Sequence, residues 1–280
     1  MAIVVPELFS DAVNSKMETS LRIGRIAFDA TELVPDIRTC GNKVNFPTFD
    51  RIGDAEVVTK GTELVPAELS MTDNEAVIKQ VGKSVRIYDK DAIQIKGAAV
   101  DAMAEQLGDS MAKAVDGDLI AEMDTSAVFK TPTAEAASIT ALEVEAGFDV
   151  FGDDIDDESF AGIIVNSRLR KQFLAMDEFT KADLTYSKDG NGIAKDGVIG
   201  YWHGVIPVIV SDNKTFDSAT SETKTYIVKK NALGVVWQKE ASTEEERFSK
   251  LFASDLTAGE LYAVKLINTK GVSILRKTVA

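Results

Sequence analysis

The chain carries one histidine, His203, and one cysteine, Cys40, and these two residues bound the nucleophilic chemistry open to it. A Ser/His/Asp or Cys/His system has to be built around His203. That residue lies in GYWHGVIPVIV, between glycines and beside a strand-like run, where an imidazole more often packs or hydrogen-bonds than switches or binds metal. The lone cysteine excludes an intramolecular disulfide and a cysteine-based zinc site, and suits a reducing compartment.

Acidic residues are the next source of chemistry. Asp149, Asp153, Asp154, Asp156, Asp157 and Glu158 fall within ten positions, and Asp154, Asp156 and Glu158 alternate as oxygen ligands to a hard cation would. The pattern then breaks. Ser159 stands where a calcium loop needs glycine, and Val165 where it needs the bidentate glutamate. Asp154, Asp156 and Glu158 are therefore metal candidates by residue type alone, and a solvated acidic loop is the favoured reading. Gly197, Gly200 and Gly204 match neither the dinucleotide fingerprint nor a P-loop. The glycine-rich run 188–197 reads as a loop with no helix start to cradle phosphate. No nucleotide, cofactor or catalytic residue is assigned. Paired carboxylates for glycoside chemistry need a spatial separation that the sequence does not supply. Arg168, Arg170 and Lys171 read as an exposed helix face, not a nucleic-acid groove.

The whole composition narrows the class further. In 280 residues, 31 Lys and Arg face 45 Asp and Glu, a net charge of -14, the wrong sign for broad phosphate neutralisation. With 45% apolar and 27% charged residues the chain is of the globular kind, long enough for one or two domains. No stretch of about 18 apolar residues offers a membrane span, and MAIVVPELFSDAV lacks the basic start of a secretory signal. No membrane partner is expected.

The elements follow from patterning. Leu8, Ala12, Val13, Met17, Leu21 and Ile23 recur near helical spacing from Pro6 to about Ala30. This arm is too thin to be a domain and must dock on its own chain or on a neighbouring copy. Residues 42–89 read as a long hairpin. Val44 and Phe46 lie on the outgoing run, Val77, Val81, Val85 and Ile87 share one parity on the return, and Asp54, Glu56, Lys60 and Glu63 form a charged tip. Asp91–Met123 contains no proline and spaces Ala99, Met103, Leu107, Met111, Ala114 and Leu119 as a long spine helix. Residues 125–141 read as a connector, 142–150 as a helix, Phe160–Asn166 as a buried strand, and Ser167 as the cap of a helix running to Leu174. Two short strands follow within 197–212, then a polar loop. The tail from Thr225 is mostly strand: TYIVKK, GVVWQKE, ELYAVKLIN and VSILRK. The fold class is α+β.

That order, together with GNKVNFPTFDRIGDAEVVTKGTEL, LSMTDNEAVIKQVGKSVRIYDKDA, AAVDAMAEQLGDSMAKAVDGDL, IIVNSRLRKQF, GYWHGVIPVIVSD and KNALGVVWQKEASTEEERF, resembles the major capsid (coat) protein of tailed bacteriophages, with the Hong Kong phage type of capsid fold. The resemblance implies an N-terminal arm (1–37), an extended loop (38–88), a peripheral domain with the spine helix (89–130 and 225–280) and a mixed axial domain (131–224). It implies no enzymatic activity. It implies a structural protein that builds hexamers and pentamers of an icosahedral shell around double-stranded DNA, held in the virion and assembled in the bacterial host cytoplasm. Its partners would be itself, with separate scaffold, portal and decoration proteins, and DNA enclosed without sequence-specific binding. No built-in scaffolding extension is recognisable. Phe46, Asp54, Glu56, Lys60, Glu63, Lys79, Lys83 and Arg86 are the candidate inter-subunit contacts. Two alternatives stand beside it: an acidic soluble enzyme or ligand-binding protein with a divalent-cation site near 149–158, and a cargo-enclosing shell protein of the same fold.

Overall fold

The computed structural model describes residues 6–33, 41–49, 55, 57–58, 66, 68–69, 71–91, 98–132, 138–180 and 197–279. Its centre is the spine, helix α2 (Ala98–Ser126), about 43 Å long at 1.5 Å per residue. Met103, Leu107, Met111 and Leu119 are buried along it as their spacing predicts, Val115 and Met123 are buried in addition, and Ala114 is only half-buried. Helix α1 (Pro6–Ser20) lies against this stripe. Phe9, Val13, Met17, Leu21 and Ile23 are buried with the spine in one core, so the arm docks on its own chain. Gly108 permits the close crossing: a Cβ there would sit 2.9 Å from the Cβ of Lys16 and 3.0 Å from backbone atoms of Val13 and Met17.

The spine's other side is covered by a four-stranded sheet in the order β1 (Phe28–Asp29), β11 (Leu233–Phe248), β12 (Ala253–Leu266), β4 (Lys79–Tyr88). Here the predicted hairpin is divided. Strand β2 (Lys43–Phe49) pairs with β3 (Met71–Val77) from Lys43↔Val77 to Phe49↔Met71. The chain then breaks at Ile78 and continues as β4, which pairs with β12 and not with β2. The break shifts the parity: Ile87 is buried and Val81 and Val85 are half-buried, but Val77 is 59% exposed and Ala76 points inward in its place. Strand β11 also exceeds expectation, since the acidic run STEEER continues it to Phe248 against β12.

The second half is built on a sheet in the order β5 (Phe129–Pro132), β13 (Val272–Thr278), β10 (Glu222–Lys229), β6 (Phe160–Val165), β8 (Ile206–Val210), β7 (Val198–Trp202), with β9 (Phe216–Asp217) added beside β10. The connector at 125–141 thus contains a strand, which pairs parallel with β13. Both faces of the central strands are buried. Ile164, Tyr226, Val228, Val272 and Ile274 face the spine core, and Ile163, Val165, Ile227 and Leu275 face a second core with Val144, Phe148, Leu169, Phe173, Phe179 and Trp202. Such strands read as unbroken apolar runs, here GIIV and YIV. Strand β10 spans the expected boundary at 224/225.

Helices α3 (Ala141–Asp149), α4 (Arg170–Phe173) and α5 (Asp177–Thr180) line this second core. A capping box starts α3: the Thr140 hydroxyl accepts from the Glu143 amide, and the Glu143 carboxylate accepts from the Thr140 amide. The turn before α4 is capped by Asn166, whose Oδ1 accepts from the Arg168 amide at 3.0 Å, and not by Ser167. Asn166 is held for this task by donating to the Thr215 hydroxyl at 2.8 Å. No described helix is long and apolar enough to cross a membrane.

Candidate functional site

The acidic segment expected as a possible cation loop is occupied with local hydrogen bonds. Asp156 caps the turn Asp157–Ser159, its carboxylate accepting from the Glu158 amide at 3.3 Å and its carbonyl from the Ser159 hydroxyl at 2.6 Å. Asp157 and Glu145 each meet one ring nitrogen of His203, at 3.0 and 2.9 Å. Asp154 ends the preceding turn, Gly152–Asp154. Among the described residues no three His, Cys, Asp or Glu side chains are grouped to hold a metal. Capping aims the Asp156 carboxylate at the Glu158 amide.

A cleft of about 780 Å³ lies where the end of α1 meets the spine, and several of its polar groups are paired with one another or with the backbone. Ser20 donates to Asp109. Buried Asp116 accepts from the amides of Arg22, Ile23 and Gly24 at 3.1, 3.1 and 2.9 Å, fixing the turn after α1. Burial raises the Asp116 pKa more than these donors lower it. These bonds tie the end of α1 to the spine.

The surface carries what the interior lacks. Strand β4 is an outer strand of its sheet and bears three of the candidate contacts. Arg86 grips Asp255 through two bonds of 2.6 and 2.7 Å and lies 5.1 Å from the centroid of Phe248. The guanidinium holds the Asp255 carboxyl below its ordinary pKa. Lys79 bonds Asp118 at 3.0 Å, and Lys83 is exposed. Phe46 departs from expectation: it is 3% exposed, enclosed with Val44, Ala76, Val236 and Ala263 where Gly234 leaves room for its ring. It anchors the β2–β3 ribbon to its own sheet and is not an exposed contact. Asp54, Glu56, Lys60 and Glu63 lie outside the described residues.

Sequence reasoning missed the exposed apolar residues. Val57 is 98% exposed, Val58 53% and Leu69 62%, all between the ribbon strands. At the β11–β12 turn Leu251 is 51% and Phe252 69% exposed, and the Phe252 amide and carbonyl hold the turn to Ser249 and Asp89. Phe252 adopts the left-handed conformation at φ 47°. The adjacent apolar pair in SKLFAS was the available signal. Beneath this surface one carboxyl is anomalous: Glu260 is fully buried on β12, both its oxygens lack a hydrogen-bond partner, and burial pushes its pKa up to about 7.

The described residues form a mixed α+β subunit with a two-stranded ribbon and large apolar groups left in solvent. The chain belongs to the phage capsid protein family, whose model matches residues 72–259. It is 24% identical over 277 residues to the major capsid protein of Staphylococcus phage phiMR11, covering 98% of this chain and 93% of that protein. Its fold is similar to solved structures of Mycobacterium phage Che8 (TM-score 0.65, 17% identity, 90% of this chain and 89% of that one). It is similar also to a virus-like particle from Pyrococcus furiosus (TM-score 0.61, 12% identity, 96% and 98%). The chain is a structural shell protein of the virion capsid and not an enzyme. The alternative enzyme reading is not supported.

Proposed function

We propose that this chain associates head-to-tail into hexamers and pentamers that close an icosahedral shell around double-stranded DNA. Heterologous contacts form rings when the rotation closes. The observation that carries the reading is the exposure of Val57, Val58 and Leu69 on the segment between the paired strands β2 and β3. A two-stranded ribbon is marginal in water, so a neighbouring copy supplies the missing cover.

In this reading residues 1–37 are the arm, 38–88 the extended loop crossing a neighbour, 89–130 with 225–280 the peripheral domain, and 131–224 the axial domain gathered at ring axes. Lys79, Lys83 and Arg86 on β4, with Asp54, Glu56, Lys60 and Glu63, make polar contacts at the loop's two ends. Assembly takes place in the bacterial cytoplasm with separate scaffold and portal proteins, and decoration proteins bind the finished shell. The net charge of -14 leaves the enclosed DNA ungripped, since like charges repel.

Light scattering after size-exclusion chromatography, with negative-stain microscopy, tests this. Rings or closed shells are expected from the intact chain. Deleting residues 50–70 abolishes them while circular dichroism stays native. A monomer that persists at high concentration, with or without co-expressed scaffold, refutes the assembly reading. Particles from infected cells whose interior contains protein and no nuclease-protected DNA refute the genome-container reading.

A further inference from the structure

His203, the chain's one imidazole, is clamped at both ends. Its Nδ1 lies 3.0 Å from Asp157 Oδ1 and its Nε2 2.9 Å from Glu145 Oε1. Ionised carboxylates only accept hydrogen bonds, and a neutral imidazole has one N–H. Both contacts are satisfied together only when the ring carries both protons. The clamp joins three separate segments: α3 through Glu145, the turn 157–159 through Asp157, and the β7–β8 turn through His203 itself. That turn holds His203 at φ 50° and Gly204 at φ 76°, so the ring stands on a backbone conformation that needs outside support.

We propose that His203 is a proton-operated latch, closing the β7–β8 turn onto α3 and the 157–159 turn when doubly protonated and releasing one carboxylate when it loses a proton. Glu145 Oε1 also accepts from Trp202 Nε1 at 2.9 Å, so a neutral ring facing two carboxylates keeps one N–H bond and turns a bare nitrogen to the other. The Phe148 and Trp202 rings lie beside the imidazole at centroid distances of 6.2 and 5.8 Å. From β10 the charged group reaching this ring cluster is Lys229, with Nζ 4.8 Å from the Phe151 centroid and 5.6 Å from that of Phe160. Burial alone would lower the imidazole pKa, but the Asp157 hydrogen bond and the charges of Glu145 and Asp157 outweigh it and raise the pKa above 6.5. The latch is therefore closed at mildly acidic pH and opens as pH rises. It rests on the geometry within one subunit and holds whether or not the assembly reading does.

With a single histidine, exchange of the imidazole C2 hydrogen followed by mass spectrometry on the full chain reports this group alone. The expected midpoint lies above 6.5, and Asp157→Asn lowers it by at least about half a pH unit. Backbone amide exchange in 156–159 and 202–205, corrected for its intrinsic pH dependence, steps up across the same midpoint, and His203→Gln removes the step. A midpoint at or below 6.5, a midpoint unmoved by Asp157→Asn, or an unchanged step in His203→Gln overturns the proposal.

Discussion

At the scale of single residues, Glu260 is the group whose environment most contradicts its chemistry. It lies on the inward parity of β12 with Ala258, Tyr262, Val264 and Leu266, and a buried carboxyl without a partner favours its neutral form. Its pKa rises from 4.5 to about 7. The folded state thus binds a proton more tightly than the unfolded one. The associated stability is complete below pH 4.5, declines as pH rises, and is lost once pH passes about 7. Glu260→Gln should flatten the urea-midpoint profile over this window, the difference from the parent chain changing by up to roughly 3 kcal/mol between pH 4.5 and 8. A variant that retains the parent's slope would show that Glu260 does not titrate there. The strand parity of ELYAVKL already places this glutamate inward. The partners of His203 had no such signal, because Glu145 and Asp157 stand 58 and 46 positions away and only tertiary packing joins them.

At the scale of elements, patterning read best where one face of one element meets one core. The spine, β6, β7, β8 and the strands of the tail were legible on that ground. The division of the hairpin was not, because Val77 and Val81 share a parity across the break at Ile78 and nothing local says that β4 turns to β12. Burial of Phe46 follows from that same division, since the ribbon's base rests on β11 and β12. Phe46→Ala should loosen the ribbon and cost about 3 kcal/mol by the measure of other buried phenylalanines, read as a lower urea midpoint and early proteolysis at 43–77. An unaltered midpoint would mean that the small cluster around Phe46 carries no stability. Gly108 makes a second test of element packing. Valine there adds helix-compatible apolar bulk but collides with α1 backbone atoms at about 3 Å. Gly108→Val should cost about 1–3 kcal/mol and expose α1 to protease, and a chain as stable and protected as the parent would refute the tight crossing.

For the whole molecule, the question is why a folded chain keeps features that its own stability does not favour. Phe252 combines two of them: a backbone in the left-handed region that a bulky residue seldom adopts and a phenyl ring 69% exposed. Neither helps the isolated subunit, and strain of this kind persists where function requires it. In a shell the relevant stability is that of the assembly, and an apolar side chain at the end of the β11–β12 hairpin would contribute to it if a neighbouring copy covered it. Subunit stability and shell stability should therefore respond in opposite directions to Phe252→Asn. Asparagine tolerates the left-handed turn, so the isolated chain should gain about 0.5–1 kcal/mol in urea unfolding. The yield of shells or rings under identical conditions should fall. Were both quantities to rise together, or shell yield to stay level while the subunit gained stability, Phe252 would be a turn residue only, and the covered apolar surface would have to be sought at other exposed residues such as Val57, Val58 and Leu69.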